Sequence, residues 1–158
     1  MGTKLMRRLN KSKGFTLIEL IVVISIIAVI ASIAISSALH ARVRGNESSA
    51  MGSLKALQSS ATSYRGANGA YPVDLTQLGA AYVGGGLETG SKSGYNFVLA
   101  NGNNGETFTA TAIPKTAVFS GGNSFCTDTL NVIYVYTNAA QIASDGNACP
   151  AGGTALQT

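Results

Sequence analysis

Three groups of residues in this 158-residue chain have types that could do chemistry. The first is a lone carboxylate, Glu19, in the stretch Lys13-Gly14-Phe15-Thr16-Leu17-Ile18-Glu19-Leu20, which leads into apolar residues as far as Ile35. Ionised groups inside a hydrocarbon layer are costly, and where they occur they usually mark a function and have a partner. The second group is the cysteine pair Cys126 and Cys149. The third is His40, the one histidine, set against scattered serines and the acids Asp74, Asp128 and Asp145. His40 lies just past the apolar run, and nothing in the spacing brings it to an acid as a general base would need. The three aspartates lack calcium-loop spacing, although Asp128 could contribute to an adventitious cation site. Two cysteines and one distant histidine do not make a four-ligand zinc set. We therefore expect no enzyme, no cofactor and no resident metal.

The elements that must position these residues follow from periodicity. Phe15 to Ile35 is 21 residues with Glu19 the one charge, about 30 Å as a helix and long enough to cross a bilayer. A simple single-span anchor explains that length but leaves Glu19 unexplained. Beyond Ser36, apolar residues recur at Ala50, Leu54, Leu57, Ala61 and Tyr64, steps that place one stripe along a helix. The spacing predicts a helix continuing to about Arg65, stopped by Gly66 and Gly69 and about 75 Å long from Phe15. Ser36-Ser37 could bend it. Tyr71-Pro72-Val73-Asp74 then reads as a turn into a short helix capped by Asp74.

From Tyr95 onward the period shifts towards two. Strands are predicted near residues 95–100, 107–113, 124–127 and 131–136. Phe108, Ala110 and Ala112 would face the helix, and Thr107, Thr109 and Thr111 the water. The glycine-rich stretch Gly84-Gly85-Gly86 to Gly94 reads as a flexible loop, lacking the strand–helix setting of a phosphate cradle. The tail from Ala139 to Thr158 reads as irregular. The fold class is α+β: a long N-terminal helix, its apolar half exposed and its lower half packed on a small antiparallel sheet of three to four strands.

Charge narrows the function classes. The formal net charge is +4, but Lys4, Arg7, Arg8, Lys11 and Lys13 all precede Gly14, and no acid does. Beyond Gly14 six basic residues face seven acids, so that part of the chain makes no case for nucleic-acid binding by bulk charge. The basic leader suits the cytoplasmic side of a membrane.

The octet at residues 13–20 and its apolar continuation resemble the N-terminal signature of type IV pilins and the pseudopilins of type II secretion. The resemblance implies a domain plan of a cleaved basic leader at 1–14, a membrane-spanning and filament-core helix at 15–41, and a globular part at 42–158. It implies cleavage after Gly14 and methylation of the new N-terminus at Phe15 by a prepilin peptidase/N-methyltransferase. Glu19 would then pair with the amine of Phe15 on a neighbouring subunit and set the register of assembly. The implied partners are other copies in a helical homopolymer, an inner-membrane assembly platform, and membrane lipid before assembly, with no nucleic acid expected. If the globular part is exported, Cys126 and Cys149 meet an oxidising compartment and should pair; two buried free thiols are the alternative. The family commonly has a proline about 22 residues into the mature chain, where this sequence has Ser36. Resemblance alone leaves a type IV pilus subunit, a secretion pseudopilin and a minor pilin open.

Overall fold

The computed structural model describes residues 14–117, 119–138 and 141–156. Nearly all of the leader falls outside this range. The chain divides into two compact units, one ending at Ser37 and the other starting at Ala38. Helix α1, Leu17–Asn68, contributes to both.

In the first unit none of the most apolar window of α1 is buried within the chain, and the helix is long and apolar enough to cross a membrane. Its two mid-run hydroxyls are satisfied locally. Ser25 donates to the Ile21 carbonyl at 2.8 Å and Ser32 to the Val29 carbonyl at 2.7 Å, so neither leaves an unpaired donor facing an apolar medium. Ser36 and Ser37 are both helical.

In the second unit α1 buries Ala50, Ser53, Leu54, Leu57 and Ala61, the stripe read from the sequence with Ser53 added and Tyr64 half-buried at its end. The helix runs three residues beyond the expected Arg65. Gly66 is helical, and Gly69 turns left-handed at φ 84° just past the last turn, where a side chain would be strained. Helix α2, Leu75–Tyr82, begins at Asp74, whose carboxylate accepts from the Gln77 N–H at 2.8 Å.

Among the described residues six strands form one antiparallel meander in chain order: β1 Ser91–Lys92, β2 Tyr95–Gly102, β3 Thr107–Pro114, β4 Ser124–Asp128, β5 Ile133–Tyr136 and β6 Thr154–Leu156. The α+β class holds, but the strand count exceeds the expected three to four. The extra two are edge strands of two and three residues, too short to show a period. The glycine-rich stretch is correspondingly less irregular than expected, with a 3₁₀ turn at Leu87–Thr89 before β1. The tail likewise contains β6.

A second correction concerns the outer face of β3. Thr109 and Thr111 were expected in water, yet both are buried. The tail covers that face: Ile142 packs with Cys126 and Tyr136, and the Thr109 hydroxyl meets Ser144 Oγ at 2.8 Å and accepts from the Gly146 N–H at 3.0 Å. Gly146 sits at φ 82° against the backbone carbonyl of Asn101, where a Cβ would overlap it. The sheet thus lies between α1, packed on Phe97, Leu99, Phe108, Ala110, Ala112 and Phe125, and its own tail.

Candidate functional site

The residues to which the resemblance gives expected roles in processing and assembly stand at the start of α1. Gly14 is exposed and non-helical, and a Cβ there would meet nothing within 4 Å. Phe15 is 92% exposed. Helix begins at Leu17, which makes Thr16 the capping residue and Glu19 the third residue of the first turn. The first N–H groups of any helix lack intrahelical partners, and these two side chains supply them reciprocally. Glu19 Oε2 accepts from the Thr16 N–H at 2.9 Å and from the Thr16 hydroxyl at 2.7 Å. The Glu19 N–H in turn donates to Thr16 Oγ1 at 3.3 Å. Phe15, Ile18, Val22 and Val23 line an open apolar hollow beside the exposed Glu19.

This capping box changes the account of Glu19. The sequence reading held that a single-span anchor leaves the carboxylate without a role, but one oxygen has a structural role inside its own chain. Oε1 takes no bond in the described residues and points to the chemistry still open to the group, acceptance from a cation or donor outside the chain. The sequence carried a signal for the box, since Thr16-Leu17-Ile18-Glu19 has the Thr-x-x-Glu spacing that precedes an apolar helix. Thr16 is the residue that sequence reasoning missed.

The remaining candidates lie in the second unit. Cys126 and Cys149 are joined by a disulfide with their Cα atoms 5.8 Å apart. It ties β4 to the tail segment that covers the sheet. Asp128 is 3% exposed, and its oxygens accept from the Leu130 N–H at 2.9 Å and the Cys149 N–H at 3.3 Å. Its carboxylate therefore holds the β4–β5 turn and the tail together. Among the described residues no three of His, Cys, Asp and Glu are grouped to hold a metal ion. His40 is exposed on α1.

Asp74 and Tyr95 are among the groups of this unit with shifted acidity. The Thr76 hydroxyl and the Gln77 N–H hold the exposed Asp74 carboxyl below its ordinary value. Burial, with the Glu47 charge nearby, pushes the Tyr95 phenol well above its ordinary value. The Tyr95 hydroxyl donates to the Asn123 carbonyl at 2.9 Å, while Glu47 Oε1 accepts from the N–H groups of Gly122 and Asn123 at 2.9 and 3.2 Å. The β3–β4 loop is therefore held to α1 through Glu47 and to β2 through Tyr95.

Residues 9–35 match the prokaryotic N-terminal methylation motif, the signature shared by type IV pilins and pseudopilins. The match spans the basic leader's end, Gly14, Phe15 and Glu19, and stops with the apolar run, so it covers less than a fifth of the chain. A comparison with curated proteins finds no match to this chain.

Proposed function

We propose that the chain is the structural subunit of a type IV pilus. The precursor inserts in the inner membrane with its basic leader on the cytoplasmic side. A prepilin peptidase/N-methyltransferase cleaves after Gly14 and methylates Phe15. An inner-membrane assembly platform then moves the subunit from lipid into a helical homopolymer built through the apolar helices, which ends as a surface filament for adhesion or motility. The observation that carries this reading is the unburied apolar run of α1 with Glu19 near its start, inside the methylation motif. Apolar surface of that extent needs lipid or other copies of itself to cover it.

Glu19 has two roles in this scheme. Oε2 closes the first turn of the helix, and Oε1 accepts from the methylated amine of Phe15 on a neighbour. Two opposite charges taken together into an apolar filament core persist as ions only when closely paired, which gives assembly its register. The Cys126–Cys149 link and the uncharged Gly, Asn and Thr surface suit a subunit exposed outside the cell.

Electron microscopy of material sheared from cells, with mass spectrometry of its subunit, tests the proposal. Long fibres whose subunit begins at methylated Phe15 are expected. A processed subunit confined to the membrane fraction, with no surface fibre, would move the assignment to a pseudopilin or minor pilin. An uncleaved N-terminus would remove the family reading altogether.

A further inference from the structure

A groove of about 490 Å³ runs along the second unit between α1 and the β4–β5 turn. Lys55, Gln58, Ser59 and Thr62 form its helix wall, and Asn131 and Ile133 the opposite side. We propose that this groove binds a carboxylated sugar, of the uronic- or sialic-acid class, presented on a glycan. The site is formed within one copy of the chain and does not depend on polymerisation.

The lining chemistry selects that ligand. Lys55 is exposed, no acid lines the groove, and the ion pair among the described residues joins Arg65 to Glu106 elsewhere. The groove therefore offers one uncompensated positive charge. Asn131 Oδ1 accepts from Gln58 Nε2, which orients both amides. Asn131 Nδ2 is left as a donor and Gln58 Oε1 as an acceptor. On the helix wall Thr62 gives its hydroxyl proton to the Gln58 carbonyl at 2.9 Å, and Ser63 gives its own to the Ser59 carbonyl at 3.0 Å. Their oxygens keep lone pairs that accept. One cation, one amide donor and several acceptors complement a molecule with one carboxylate and several hydroxyls.

Shape and rigidity agree with this assignment. Ile133, 2% exposed, closes the groove from below as part of the core, so a ligand meets chiefly the polar walls. A second hollow of about 290 Å³ shares Lys55 and Ile133 and continues past Met51 and Gly52, room for an adjoining residue of the glycan. The turn that presents Asn131 is held in place: the Leu130 N–H donates to Asp128 Oδ1 at 2.9 Å and the Asn131 N–H to the Asp128 carbonyl at 3.1 Å. A wall that is already ordered loses little entropy on binding. A nucleic-acid or polyphosphate ligand is disfavoured, because affinity for a polyanion grows with the number of cations engaged and here there is one.

The test uses the full chain in detergent micelles, titrated with galacturonate, N-acetylneuraminate, galactose and inorganic phosphate while amide and side-chain resonances are followed by NMR. Either acidic sugar is expected to move the signals of Lys55 and Asn131. Lys55→Gln should weaken the acidic sugars by about tenfold, the scale of one hydrogen bond to a charged group, and leave galactose unchanged. Asn131→Gly, which tolerates the left-handed backbone at φ 65°, should weaken acidic and neutral sugars alike. The proposal is overturned if no sugar moves the groove signals, if galactose binds as well as galacturonate, or if phosphate binds as tightly as the sugar acids.

Discussion

Removal of the Cys126–Cys149 link should lower the stability of the second unit by a definite amount. The two cysteines are 23 positions apart, so the closed loop is of that order. Loop closure of this length in the denatured chain corresponds to about 3.4 kcal/mol at 25 °C in the chain-entropy model. For a folded unit of roughly 120 residues the unfolding entropy makes each kcal/mol worth about 4 °C, so the midpoint should fall by roughly 14 °C. In the folded state the tail keeps other anchors: the contacts of Ser144 and Gly146 with Thr109, the Tyr136 hydroxyl on the Pro150 carbonyl, and the pairing of β6 with β5. Loss of the link should therefore leave the tail seated below the transition and act mainly on the denatured ensemble. The assay is thermal and urea denaturation of the full chain in detergent micelles, comparing Cys126→Ala/Cys149→Ala with the oxidised parent. Hydrogen exchange at Gly146 follows the tail separately. A midpoint within about 2 °C of the parent would refute the loop-entropy argument, given that scale. Loss of Gly146 protection well below the midpoint would refute the claim that the remaining contacts seat the tail.

Other perturbations separate roles that coincide in the intact chain. Glu19→Gln keeps an oxygen acceptor for Thr16 and removes the charge, whereas Glu19→Ala removes both; with leader cleavage intact in each, both should lose filaments in the sheared fraction. Normal filament yield from Glu19→Gln would reduce the carboxylate to a helix cap. Leu57→Ala, at a fully buried position between α1 and the sheet, should cost about 2–5 kcal/mol, measured as a urea midpoint. Asp74 has its carboxyl lowered in the fold, so its contribution is present above the ordinary 3.8 and fades as pH falls through the lower folded value. The stability difference between parent and Asp74→Asn should accordingly shift in favour of Asn as pH falls through that range and be constant near neutrality. Tyr95 is raised in the fold, so its contribution is complete below the ordinary 10.0 and is lost above it. Tyr95→Phe should flatten the alkaline limb of the stability profile, and an unchanged limb would show that another group governs it.

Much of this architecture was legible because it rests on local periodicity. The stripe Ala50, Leu54, Leu57 and Ala61, the Asp74 cap and the inward alternation of Tyr95, Phe97 and Leu99 repeat at helix or strand spacing and need no partner to be seen. Thr109 and Thr111 misled because strand alternation assigns faces but not what covers each face. Thr16 was readable from its spacing to Glu19 and was eclipsed by the charge. β1 and β6 had no period to read, since their pairing comes from neighbours already in place.

By itself the sequence determined the apolar helix, the single carboxylate within it, the glycine before it and the α+β class, all properties of residue order along one segment. Tertiary structure alone decided that the tail folds over the sheet, that the Asp128 carboxylate joins turn to tail, and that Lys55 and Asn131 line one groove. Those pairs lie 21 to 76 positions apart, where no propensity acts, and they meet only when burial of the common core draws distant segments together.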